Sequence, residues 1–236
     1  MADETWESLA WVAGVAAVVL FIVATYIAGS PPGPHDSVVK VFNYVHNNGT
    51  AIKWGGYLVA FGIFLLIFWV AALANAARRA LNGPNGLVTV IVVGATVALG
   101  LELVATAVAN VEVLRIGELG AGGVHFFFAL NYVLGAVGLF GTAALVLGVS
   151  LVVLQTGFLP RWLGPAGLVL TVALLVAGAG VATLGNTVGV ISLVSFLAWA
   201  VWVVAISVLM LVRSTAAEPL PSTAGSVAPT PPPPPS

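Results

Sequence analysis

The chain has 236 residues, 60% hydrophobic and 6% charged, with seven Lys/Arg against eight Asp/Glu and a formal net charge of −1. Soluble domains carry about 25% charged residues, so this composition excludes a water-soluble enzyme and, for most of the chain, intrinsic disorder. Without a basic block there is nothing to hold nucleic acid. Without cysteine there is no disulfide, no thiolate chemistry and no Cys-ligated metal centre.

What remains is an all-α polytopic membrane protein. A helix crossing roughly 30 Å of hydrocarbon needs about 20 apolar residues. Six such runs occur, at about 9–28, 55–76, 87–109, 126–154, 164–184 and 190–212. They are continuous and too long for barrel strands, which need only about 9–11 alternating residues. The organisation that follows is a cytoplasmic N-terminus at 1–8, a six-helix transmembrane domain at 9–213 and a tail at 214–236.

The N-terminus opens with Asp3, Glu4 and Glu7, so it lacks the basic region of a signal peptide, and the first helix should be retained. Trp6 and Trp11 read as interfacial anchors. Pro31, Pro32 and Pro34 stop the first helix. In the long loop that follows, Val38, Val41, Phe42 and Val45 share one helical face. This predicts a short interfacial helix at about 36–46, lying at the lipid surface and ended by Asn47-Asn48-Gly49. Gly83-Pro84 and Gly164-Pro165 open the third and fifth spans. The run Pro231 to Pro235 excludes a helix in the tail, which should be a disordered, polyproline-like extension.

Six spans put both termini on one side. That side would carry Arg78, Arg79, Arg161 and Arg213, against Lys40, Lys53 and Arg115 on the other. The positive-inside rule then predicts a multi-pass protein of the cell membrane with both termini cytoplasmic.

Two stretches carry a resemblance. One runs from Gly62 to Ala80, GIFLLIFWVAALANAARRA, and the other from Thr156 to Gly167, TGFLPRWLGPAG. Together they resemble a family of uncharacterised six-helix integral membrane proteins of actinobacteria, in which a Leu-Pro-Arg-Trp-Leu-Gly turn likewise joins the fourth and fifth spans. The resemblance implies a layout and no catalytic residues.

Glu102 is the most informative side chain, an acid about seven residues inside the third span. Such a group costs about 2.5–3.5 kcal/mol at mid-bilayer and usually faces the bundle interior. At 1.5 Å per residue, Asn131 and Tyr132 of the fourth span are level with it, and Thr106 lies one turn above. Glu102, Thr106, Asn131, Tyr132 and His125 are therefore the candidate intramembrane polar site. It would act as a proton relay, as a polar headgroup site, or as a hydrogen-bonded pin between helices. His35, His46 and His125 do not have the spacing of a metal motif, and no cofactor is expected. Ser150 lacks a histidine base at its depth, so intramembrane acyl transfer has no constellation.

Small residues at four-residue spacing (Gly94/Ala98, Ala105/Ala109, Gly138/Thr142) should let helices, or two copies of the chain, approach closely. The leading functional expectation is a non-enzymatic accessory or structural protein that binds a membrane partner, a lipid or a second copy of itself. The alternative is a small proton-linked transporter or lipid-handling protein using Glu102.

Overall fold

The computed structural model describes residues 2–33, 35–179 and 186–216. Among them there are only helices and connecting turns: α1 (Ala2–Ala28), α2 (Val38–Ala80), α3 (Gly86–Leu114), α4 (Ile116–Thr156), α5 (Leu163–Gly178) and α6 (Asn186–Ala216). Five of these, all but α5, contain stretches long and apolar enough to cross a membrane. Apolar side chains cover their outsides as well as their contacts, as Val19, Ile22, Phe64 and Val201 illustrate. A helix that is apolar all round has no face suited to water.

Each of the six helices overlaps one of the six runs, and all but α5 extend beyond theirs. The expected interfacial helix is not separate. It is the first part of α2, a continuous helix of 43 residues, roughly 65 Å long at 1.5 Å per residue. Asn48 does not end it, because its side-chain amide donates to the Tyr44 carbonyl one turn back (2.9 Å). Gly49 does not cap it either. A Cβ there would lie 2.9 Å from Val113 Cγ1, so this glycine lets α3 approach. Most of the apolar face expected to lie on lipid packs on protein instead, Val38 alone of its four residues staying exposed. Val41, Val45 and Val124 form a small second core, joined by Phe42, Ile52, Val113, Ile116 and Phe128.

The third and fourth helices extend towards this second core. α3 runs to Leu114 instead of 109, and α4 begins at Ile116 instead of 126, with a break at Gly120 (φ 61°, ψ 177°) that only glycine takes readily. α1 begins at Ala2, and α6 continues through residues 214–216, which were assigned to the tail. α5 is shorter than its run. Its 16 residues reach about 24 Å, less than the hydrocarbon thickness. The rest of the expected fifth span, residues 180–184, lies outside the described residues, as does the proline-rich tail from 217.

The turns obey local chemistry. Gly29 (φ 72°) closes α1 with its N–H on the Tyr26 carbonyl. Asn85 caps α3 through a side-chain bond from the Leu87 N–H (2.9 Å). Gly157 ends α4 in the left-handed region.

Packing runs α1 on α2 and α6, α2 on α3 and α4, α3 on α4, α4 on α5, and α5 on α6. Two contacts fix it. Trp69 of α2 donates its indole N–H to Ser207 Oγ of α6 at 2.9 Å, entirely buried. Gly14 of α1 leaves the room, since a Cβ there would strike both partners. In the second contact, α3 and α4 touch backbone to backbone. A Cβ on Gly94 would lie 2.7 Å from the Leu145 nitrogen, and one on Gly141 would lie 2.6 Å from the Ala98 nitrogen. The expected Gly94/Ala98 and Gly138/Thr142 pairs thus serve the bundle's own interior.

The two ends differ in which cations they carry. Glu7 of α1 pairs with Arg79 at the end of α2, and Arg213 donates to the Phe158 carbonyl in the α4–α5 turn. The four predicted arginines, two of them bonded here, therefore gather at one end, the arginine end. Lys40, Lys53, Arg115, Asp36 and Glu118 lie at the other, the loop end.

The α3–α4 contact yields a paired prediction. Gly141→Ala should lower the thermal unfolding midpoint, at a cost of about 1–3 kcal/mol for an overpacked interior. Gly135→Ala, six residues earlier on the same helix and facing open space, should leave the midpoint unchanged. Equal midpoints for the two variants would refute the contact.

Candidate functional site

The α3–α4 register continues from the glycine contact. Gly94 meets Gly141, and a Cβ on Gly138 would sit 3.6 Å from Leu101 Cβ and 3.7 Å from the Ala98 carbonyl. Further along, Asn131 donates its amide to the Ala105 carbonyl at 2.7 Å. Between these rungs, Glu102 falls opposite Gly135, and a Cβ on Gly135 would meet nothing within 4 Å. The missing side chain leaves a cavity of about 210 Å³. All six helices line it, with Phe21 and Thr25 from α1, Ile63 from α2, Leu174 from α5, and Phe196 and Trp199 from α6 among its walls.

Glu102 is the only ionisable group among the described residues lining this cavity. It is accessible, lying against the open space and not in the packed interior. No described residue gives it a hydrogen bond or an ion pair. The two hydroxyls beside it are committed as donors: Thr25 Oγ1 donates to the Phe21 carbonyl (2.8 Å), and Thr142 Oγ1 to the Gly138 carbonyl (3.3 Å). The aromatic wall is a connected set, with Trp199 6.1 Å from Phe21 and 6.1 Å from Phe196 between ring centroids.

The five sequence-predicted site residues are not brought into one cluster. Asn131, expected to pair with Glu102, bonds to the α3 backbone instead. Thr106 presents its methyl towards Gly56 of α2, beside the Asn110 amide. Tyr132 is half-buried with no polar contact. His125 is ten residues along α4 and places Nε2 3.3 Å from the Asp36 carbonyl, tying α4 to the segment before α2. There Lys40 bonds Asp36 at 2.8 Å. The Lys40 ammonium, and then the Gly33 N–H, hold the Asp36 carboxyl below the usual carboxylate range. No group of three or more His, Asp or Glu among the described residues is placed to hold a metal ion. Ser150 is buried and donates to the Val146 carbonyl (2.7 Å). On α6, Trp202 is buried in the core and Trp199 lines the cavity.

One acid escaped the sequence reading. Glu112 is 2% exposed, and its Oε1 has no hydrogen-bond partner among the described residues. It lies close enough to Tyr44 for the carboxylate to act on the phenol electrostatically, while the Tyr44 hydroxyl donates to the Ala28 carbonyl (2.8 Å). Ending the third span at 109 made Glu112 look like a loop charge. The signal was its spacing: Glu112 follows Ala98 and Ala105, which meet α4, at seven-residue intervals.

The chain matches no family model, no curated protein and no solved structure.

A buried acceptor without a donor costs about 1–3 kcal/mol, and an apolar residue of similar size removes that cost. Glu112→Leu should therefore raise the unfolding midpoint, measured by thermal melting of the purified protein. A clear fall would show that the carboxylate has a partner that stabilises the fold.

Proposed function

We propose that this chain is an integral membrane protein without catalytic activity. In this reading it holds a lipid or lipid-like amphiphile in the six-helix cavity, with Glu102 as the polar anchor, in an accessory or structural role. The observation that carries the reading is a carboxylate without a partner among the described residues, on the wall of an otherwise uncharged cavity. A charge left inside a membrane bundle is expensive unless something meets it, and nothing in the described protein does. Known pockets for small molecules share this plan, with apolar walls and a few polar groups that set orientation.

The test is native mass spectrometry after gentle extraction, on wild type and on Gly135→Leu. A Cβ at Gly135 meets nothing within 4 Å, so leucine should grow into the space opposite Glu102. Wild type should carry a discrete small-molecule mass that the variant loses while keeping its unfolding midpoint. Wild type with no adduct, or a variant that keeps it, would refute the reading. A copurifying polypeptide over an empty cavity would point to a protein partner instead.

A second reading, a small proton-linked transporter, has one observation in its favour. Thr106 and Asn110 follow Glu102 at four-residue spacing on α3, and Glu112 lies beyond them. It requires Glu102→Gln to abolish a pH-dependent flux in liposomes while the protein still accumulates.

The arginine end supports a cytoplasmic placement of both termini in the cell membrane, since Arg78, Arg79, Arg161 and Arg213 lie at helix ends or in a short turn. The lack of native cysteine makes this directly testable with Lys53→Cys and Arg161→Cys, both at exposed positions. A membrane-impermeant maleimide should label position 53 in intact cells, and position 161 only after permeabilisation. The opposite pattern would invert the topology.

A further inference from the structure

The cavity's polar chemistry is one-sided. Glu102 in its carboxylate form only accepts hydrogen bonds. Thr25 and Thr142 have given their protons to the Phe21 and Gly138 carbonyls, so into the cavity they too offer oxygen lone pairs. Apart from the Trp199 indole N–H, the lining side chains supply no donor. A second asymmetry adds to the first. Phe21, Trp199 and Phe196 line the same space as linked rings about 6 Å apart. Aromatic faces attract cations, and do so more strongly where water is excluded. A carboxylate beside an aromatic wall, with acceptors and almost no donors, is complementary to a positive group carrying apolar substituents. It repels phosphate or carboxylate.

Size narrows the class. Pockets that enclose drug-sized ligands are about 300–1,000 Å³, and this one is about 210 Å³. It suits a headgroup with a short apolar stem. We infer that the cavity is a binding site for a monocationic ammonium group, primary or quaternary, whose charge pairs with Glu102 and whose alkyl substituents lie on Phe21, Trp199 and Phe196. This rests on the amphiphile reading above and specifies its charge. The ammonium has two possible sources, the headgroup of a bilayer lipid or a free hydrophobic amine.

The test uses the full chain in nanodiscs of phosphatidylglycerol, which has no ammonium. Hexyltrimethylammonium is titrated by calorimetry, with hexan-1-ol and hexyl sulfate as chain-matched controls. The cation should bind at least about tenfold more tightly than either control, and Glu102→Gln should erase that preference, as expected for loss of a desolvated ion pair. Glu102 holds no hydrogen bond or ion pair among the described residues, so this variant should fold. Trp199→Leu should weaken the cation about two- to fivefold, and Trp199→Phe, which keeps a ring, by less.

Repeating the titration in phosphatidylethanolamine or phosphatidylcholine nanodiscs separates the sources. An apparent affinity about tenfold lower marks a site already filled by headgroup, and an unchanged one marks a free amine. If hexan-1-ol or hexyl sulfate binds as well as the cation, or if Glu102→Gln keeps the preference, the ammonium inference is overturned while the amphiphile reading stands. If none of the three binds in any bilayer, both fall.

Discussion

Two helix backbones touch where Gly94 of α3 meets Gly141 of α4, and the centre of the bundle is set out from that point. No side chain separates the two helices there, and any Cβ would run into peptide atoms. For helices that lie in lipid, as proposed for this chain, there is little hydrophobic gain between them, since lipid tails are as apolar as leucine, and close van der Waals approach takes its place. Once that contact is fixed, the antiparallel register is fixed too. Ala98 then meets Gly138, Asn131 reaches the Ala105 carbonyl, and Glu102 falls opposite Gly135. The cavity is the arithmetic consequence of a small residue on one helix recurring across from a large polar one on the other.

The same register sets the chemistry apart from ordinary packing. At Asn131 the pairing is satisfied, with a side-chain amide on a helix carbonyl. At Glu102, less than one turn before the end of that ladder, no partner arrives among the described residues, and the neighbouring threonines have turned their protons to their own helices. An acid pinned between helices would have been held by its neighbours, as Trp69 is held by Ser207. Glu102 is instead left facing space that α1, α2, α5 and α6 also border.

The sequence reads well where solvent decides and poorly where packing decides. The six apolar runs were legible because a hydropathy profile reports what each residue prefers to touch. The helix ends were not, because a helix propagates through its backbone bonds and stops at its caps. Lys53 sits inside α2, exposed on one side of a helix whose other side is packed. Asn48 looked like a terminator and is satisfied one turn back. Glu102 stood out as an isolated acid in a long apolar run, but its partner could not be read, because depth alone cannot tell which way Asn131 turns. Glu112 was missed for a related reason. Its neighbour Tyr44 belongs to the α2 extension, which was read as a separate helix on the lipid surface.

The length of α2 ties distant parts of the molecule together. The residues that close the second core, Val41 and Val45, and a residue that walls the cavity, Ile63, belong to one unbroken rod anchored at its far end by the Arg79–Glu7 pair. Its one weak point, the Gly55-Gly56 pair, is wedged: a Cβ on Gly55 would sit 3.5 Å from the Ala24 carbonyl, and one on Gly56 would crowd the Asn110 amide. Such a rod behaves as a lever. If it pivots at Arg79, a tilt of about 5° moves Val41 by roughly 5 Å and Ile63 by roughly 2 Å, at 1.5 Å of length per residue. On that geometry, a displacement of the loop end would reach the cavity wall at less than half its size.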